Sequence, residues 1–223
     1  MRNRSLALLA LAVGTAGMVG CSTSQRNIWK VRSDAEHAYE FGRYETAEAD
    51  WAEYVDRRPQ DADGHYYYGL ALLANGKPAP AREQLVIAND MRPDHEDTIE
   101  ALASAIRATG NTDDLFRFLR RMIEERGIAS DYDRLGRYLA SVGNPDEAET
   151  AFLTAAQLDG GKTVAPQLAL ANFYRSIGDV QNEKLRLRMA LALEPQNEDV
   201  QARLRGLGEV PGPSLALTPT EAQ

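Results

Sequence analysis

Ala74-Asn75-Gly76-Lys77-Pro78-Ala79-Pro80-Ala81, about a third of the way along this 223-residue chain, pairs a helix-ending glycine with a helix-starting proline. Before it, Tyr68, Gly69, Leu72 and Leu73 fall at the three- and four-residue spacing of one helix face. After it, Ala81, Leu85 and Ala88 do the same until Arg92-Pro93 stops the run. The stretch therefore reads as two short antiparallel helices joined by a tight turn. Its glycine has counterparts at Gly42, Gly110, Gly143 and Gly178, at intervals of 34, 34, 33 and 35 residues. Seventeen residues after three of these glycines stands a proline: Pro59, Pro93 and Pro195. A fixed period near 34 residues belongs to a chain that stacks one supersecondary unit, burying apolar faces only by stacking.

The pattern resembles the tetratricopeptide repeat (TPR) family, in which small residues occupy repeat positions 8, 20 and 27, where helices cross closely. Position 8 is Ala35, Gly69, Ala103, Gly136 and Ala171. Position 20 is Ala47, Ala81, Leu115, Ala148 and Glu183, and position 27 is Tyr54, Ala88, Met122, Ala155 and Ala190. The large residue of position 24 is Trp51, Leu85, Leu119, Phe152 and Leu187. Glu183 and Tyr54 depart from the pattern, and the third and fourth units lack the closing proline. The resemblance implies an all-α solenoid of about five helix-turn-helix repeats over 28–197. Segment 198–208, with Val200 and Leu204 four apart, is expected to be a C-terminal cap helix. The Pro- and Thr-containing residues 209–223 are expected to be disordered.

Residues 1–20 read as an export signal. Arg2 and Arg4 precede an uncharged apolar stretch from Leu6 to Val19 that is short for a transmembrane helix. Met18-Val19-Gly20-Cys21 resembles the lipobox of bacterial lipoproteins, which implies cleavage before Cys21, acylation of that cysteine and a short tether over 21–27. Ser22 after the cysteine implies sorting to the periplasmic face of the outer membrane. Cys21 is the chain's sole cysteine, so an internal disulfide and a thiolate metal cluster are both excluded.

The formal charge is −8, and without Arg2 and Arg4 it becomes −10, which argues against nucleic-acid binding. His37, His65 and His95 stand far apart in sequence, with no metal-ligand spacing. Asp159-Gly-Gly-Lys-Thr163 lacks the upstream glycine of a phosphate loop, and Asp61-Ala-Asp-Gly64 lacks the later ligands of a calcium loop. Both read as turns between units. No nucleophile elbow is present, so neither an enzyme nor a cofactor site is expected.

In TPR proteins the inner groove is lined by the first helix of each pair at positions 2, 5, 9, 12 and 13. Carried over, these positions give Trp29, Tyr39, Tyr66, Leu70 and Leu73 in the amino-terminal half, an aromatic surface suited to an apolar peptide segment. The later half gives Arg107, Arg137, Asn172 and Arg175, with Glu100 and Asp133 beside them. Such cations could collect a carboxylate-bearing segment or be spent on local ion pairs. The resemblance thus implies a lipid-anchored periplasmic scaffold for an envelope protein of a pilus, secretin or outer-membrane complex. The other reading is an adaptor that holds a cell-wall hydrolase or protease at the membrane.

Overall fold

A computed structural model describes residues 25–222. Their regular structure is α-helical, apart from a 3₁₀ turn at Thr220–Ala222. In chain order the helices are α1 (Ile28–Glu40), α2 (Tyr44–Arg57), α3 (Ala62–Ala74), α4 (Pro78–Met91), α5 (Glu96–Ala108), α6 (Thr112–Glu125), α7 (Ala129–Ser141), α8 (Pro145–Asp159), α9 (Ala165–Ile177), α10 (Val180–Leu193) and α11 (Glu198–Gly206). Each odd-numbered helix from α1 to α9 packs against the even one that follows, and successive pairs stack. The expected all-α solenoid of five helix pairs is therefore what the described residues form. No described helix is long and apolar enough to cross a membrane.

The turns explain the period. Gly76 has φ of 70°, and the glycines at 42, 110, 143 and 178 share this left-handed backbone, which side chains resist. The amide after Gly76, that of Lys77, bonds back to the Leu72 carbonyl and closes the helix end. Entry is specified as clearly. Asp61, Asn111, Asn144, Asp179 and Asn197 each accept a bond from a free amide of the first turn that follows. Asp61, the start of the calcium-like sequence, is thus a helix cap that also accepts a 2.6 Å bond from the Tyr54 hydroxyl. Asp159 likewise holds the amides of Lys162 and Thr163 at 2.8 Å, making the phosphate-loop-like sequence a turn.

Positions 8, 20, 24 and 27 are buried in all five units. Where they depart from the pattern, another contact compensates. Tyr54 fits because Gly64 faces it: a Cβ there would lie 2.9 Å from the Tyr54 ring. Buried Glu183 reaches past its own unit and pairs with Arg203 of α11 at 2.9 Å, fastening the cap helix. At the proline-less end of the third unit, Arg126 binds Asp131 at 2.7 Å, and buried Arg134 binds Glu96, Glu100 and Asp131 at 2.6–3.1 Å. Ion pairs there stitch α5 to α7.

The tail corrects an expectation. The sequence predicts disorder over 209–223, yet the described part, 209–222, folds back along the last helix pair. Glu209 pairs with Arg188 at 2.7 Å and Lys184 at 3.4 Å, and the Leu217 amide donates to the Arg188 carbonyl at 3.1 Å. Leu215 and Ala216 pack on the core formed by Leu187, Leu191, Val200 and Leu204. Glu221 meets Arg186 at 2.5 Å, both nearly buried. Two acids placed opposite the cations of α10 hold a segment that has few apolar anchors.

Candidate functional site

The first helices of the pairs carry the groove positions, and the structure divides them into three groups. At the amino-terminal end Trp29 is 60% exposed, with the Arg58 guanidinium 5.3 Å from its ring. Tyr39 is half-buried, edge-on to Tyr44 and packed against the first unit's core. Tyr66, Leu70 and Leu73 are also half-buried, because they pack on the core shared by the second and third units. Tyr66 stands edge-on to Tyr67 and His95. These side chains are therefore only partly available to a partner.

The middle group is charged. Arg107 is exposed, its guanidinium 5.9 Å from the Tyr138 ring. Arg137 is engaged by Glu100 at 2.8 Å and by Asp133 at 3.0 Å. Burial pushes the Glu100 carboxyl up, but Arg137 and Arg134 together outweigh it and hold the group below the usual glutamate range. Burial and the neighbouring Glu100 push the Tyr138 hydroxyl up to about 12. Glu100 therefore remains an anion and Tyr138 a neutral hydroxyl near pH 7. Arg137 faces a partner already paired with two carboxylates.

The third group surrounds an open cleft of about 690 Å³ between α7, α8 and α9. Phe152, Phe173 and Leu168 give it an apolar floor. Alanines at 129, 140, 155, 165 and 169 make the room, since no longer side chain fills the gap between helices. Arg137, Asp133 and Asn172 stand around it, and Asn172 accepts a 2.8 Å bond from Arg203 of the cap helix. Arg175 is exposed one helical turn beyond Asn172. The structure thus brings Arg137 and Asn172 to one cleft, whereas Trp29, Tyr39 and Tyr66 lie on the first two units. The floor was missed in the sequence because Phe152 and Phe173 look like ordinary core residues. Five alanines converging on one gap were the available signal.

Two of the three histidines are accounted for locally. Buried His65 meets Gln84 at 2.8 Å and the Pro59 carbonyl at 3.1 Å, and His95 contacts Thr98 at the start of α5. Cys21 lies outside the described residues.

Residues 34–95 match the family model described as tetratricopeptide repeat. A thermophilic TPR protein of Thermus thermophilus is similar over 81% of this chain and 98% of its own, with a TM-score of 0.55 and 21% identity. MamA from Desulfovibrio magneticus RS-1 is similar over 77% and 97%, with a TM-score of 0.53 and 16% identity. PilW, described as a widely conserved type IV pilus biogenesis factor, is similar over 80% and 83%, with a TM-score of 0.56 and 16% identity. At these identities the likenesses establish fold alone. No curated protein matches the sequence. The repeat match and five stacked helix pairs define the class, an α-solenoid built to present a concave protein-binding face. Residues 34–95 carry the tetratricopeptide repeat, and the described chain has the fold of the tetratricopeptide repeat proteins to which it is similar.

Proposed function

We propose that this protein is a lipid-anchored scaffold, held at the periplasmic face of the bacterial outer membrane through acylated Cys21. In this reading it positions a protein partner during envelope assembly. The observation that carries the binding half of the reading is the cleft between α7, α8 and α9. It combines an apolar floor at Leu168, Phe152 and Phe173 with polar groups at Arg137 and Asn172. Binding sites on proteins commonly join an apolar recess to a few placed polar groups. An extended or helical segment with one or two apolar anchors fits such a recess.

The anchoring half rests on the sequence: a basic start, an apolar stretch and Gly20-Cys21. Two or more acyl chains would make the attachment effectively permanent, at ~0.8 kcal/mol per buried methylene. The likeness to PilW makes a pilus component the first partner class to test.

Replacing Ala169 with a photoreactive phenylalanine analogue and irradiating envelope fractions tests both partner and face. A crosslink to one pilus, secretin or barrel subunit supports assembly. A crosslink to a hydrolase transfers the reading to adaptor work, and a crosslink appearing equally from exposed Gln157 on α8 would refute use of the cleft.

A further inference from the structure

The fifth helix pair holds a cation that the repeat itself does not satisfy. Arg186 of α10, only 7% exposed, occupies repeat position 23, beside the fully buried Gln167 of α9 at position 4. In the second unit these positions are Gln84 and His65, which satisfy each other at 2.8 Å. In the fifth they leave one positive charge over. A buried arginine without a carboxylate is costly, and Glu221 of the tail supplies it. The Glu221 carboxylate meets Arg186 Nη1 at 2.5 Å and accepts from the Gln167 amide at 3.3 Å. Burial pushes the Glu221 carboxyl up, but the bond from Arg186 outweighs this and holds it below the usual glutamate range. The first unit follows the same rule at the other end of the stack. There Asp50, at position 23, is met at 2.6 Å by Arg26, which precedes α1.

The tail lies on this site as a bound peptide lies in a groove. Leu215 and Ala216 pack on the last core, the Leu217 amide donates to the Arg188 carbonyl, and Pro219 is buried before the chain meets α8. Between these anchors Leu217, Thr218 and Thr220 remain exposed. The tail joins α11 through Gly208, at φ of 80°, and then Pro211-Gly212-Pro213, and Val210 between them is 85% exposed. Its grip on the arginine is one-pronged. Arg186 uses Nη1 for both Glu221 and Gln167, while its buried Nε has no partner among the described residues. A guanidinium fork can hold a carboxylate by two parallel bonds, so the tail does not use all that this site offers.

We propose that residues 215–221 are an internal ligand, and that the groove they occupy on α8, α9 and α10 is a second peptide-docking site. Its partner is a protein segment that repeats the chemistry of the tail and binds by displacing it. That segment carries a leucine, a proline four residues later and a glutamate two residues after the proline, as Leu215, Pro219 and Glu221 do here. The glutamate enters the Arg186–Gln167 pocket, and the leucine covers the apolar surface of Leu187, Leu191, Val200 and Leu204. An internal ligand lowers the apparent affinity for an outside one by the fraction of sites that it fills, so the tail sets the threshold for docking. The site stands independently of the function proposed for the α7–α9 cleft.

The test uses the whole chain in detergent and a dye-labelled peptide that copies residues 209–223, followed by fluorescence anisotropy. Glu221→Ala in the protein weakens the internal ligand and spares the pocket, so that chain should bind the peptide about tenfold more tightly than the wild type does. A merely destabilised protein gains no affinity. The peptide carrying Glu221→Ala should bind the altered chain about tenfold more weakly, and adding Arg186→Met to that chain should bring the same loss. Arg117→Ala, an exposed cation on α6, should change nothing. Equal peptide binding by the wild-type and Glu221→Ala chains, or binding that ignores the peptide's own glutamate, would overturn the proposal. So would wild-type dimers that Glu221→Ala dissociates, which would make the tail a bridge between copies.

Discussion

Gly136 of α7 and Phe152 of α8 meet so closely that a Cβ on the glycine would lie 2.9 Å from two ring carbons of the phenylalanine. The same ring forms part of the cleft floor, so this helix crossing sets both packing and site shape. Gly136→Leu must push the two helices apart, at a cost of about 3 kcal/mol. That predicts a fall in melting temperature of roughly 6–12 °C, whereas Gln157→Leu, on the exposed side of α8, should shift it by no more than about 2 °C. Comparing the two thermal melts checks the repeat register. Equal melts would contradict it.

The tail provides a local stability test. Removing the Glu221 carboxylate leaves the buried Arg186 guanidinium with the Gln167 carboxamide at 3.1 Å as its remaining oxygen partner. Breaking one side of a buried ion pair costs about 3 kcal/mol or more. Because solenoid units couple mainly to their neighbours, Glu221→Ala should accelerate amide exchange in α9 and α10 and leave α1–α4 unchanged. Uniform protection in both proteins would mean that the tail does not hold the last pair.

Acid should loosen the middle of the stack. Burial raises Glu96 and Glu100, but Arg134 with Arg126 or Arg137 outweighs it, and both carboxyls titrate below the usual glutamate value of 4.5. A lowered folded value means that this stability is present above pH 4.5 and is lost as pH falls through the folded values. Melting temperature, followed from pH 7 to pH 3, should hold until about pH 4.5 and then drop. A variant with Glu96→Gln and Glu100→Gln should start lower at pH 7 and lose less on acidification. Parallel curves would assign the acid sensitivity to other groups.

Anchoring has its own readout. Mass spectrometry of the mature amino terminus should find acylated Cys21 as the first residue, and Cys21→Ala should abolish acylation and release the protein from membranes. A free thiol at that position would sink the anchoring proposal.

How much of this was visible in the sequence follows from which contacts are local. The turn at Asn75-Gly76-Lys77 and the small residues facing position 24 act within one unit, so the period exposed them. Contacts between units escaped. Glu183 looked like a flaw in the repeat and instead binds Arg203 of the cap helix. Glu209 and Glu221 looked like solvated tail residues because their partners on α10 become neighbours only after stacking. Arg137 and Asn172 were read from repeat position alone, while the cleft beside them needs alanines from three helices.

The most direct test of the central claim is capture of a partner from envelope extracts by proteins altered in the α7–α9 cleft. Ala169→Glu puts an uncompensated charge against the apolar floor and should reduce capture at least tenfold, with a melting-temperature change of a few degrees or less. Replacing Arg107, Arg137 and Arg175 by alanine should weaken capture less and reduce its salt dependence, since exposed charge contacts are screened within about 8–10 Å. Undiminished capture by both variants would contradict the account and move the partner off the concave face.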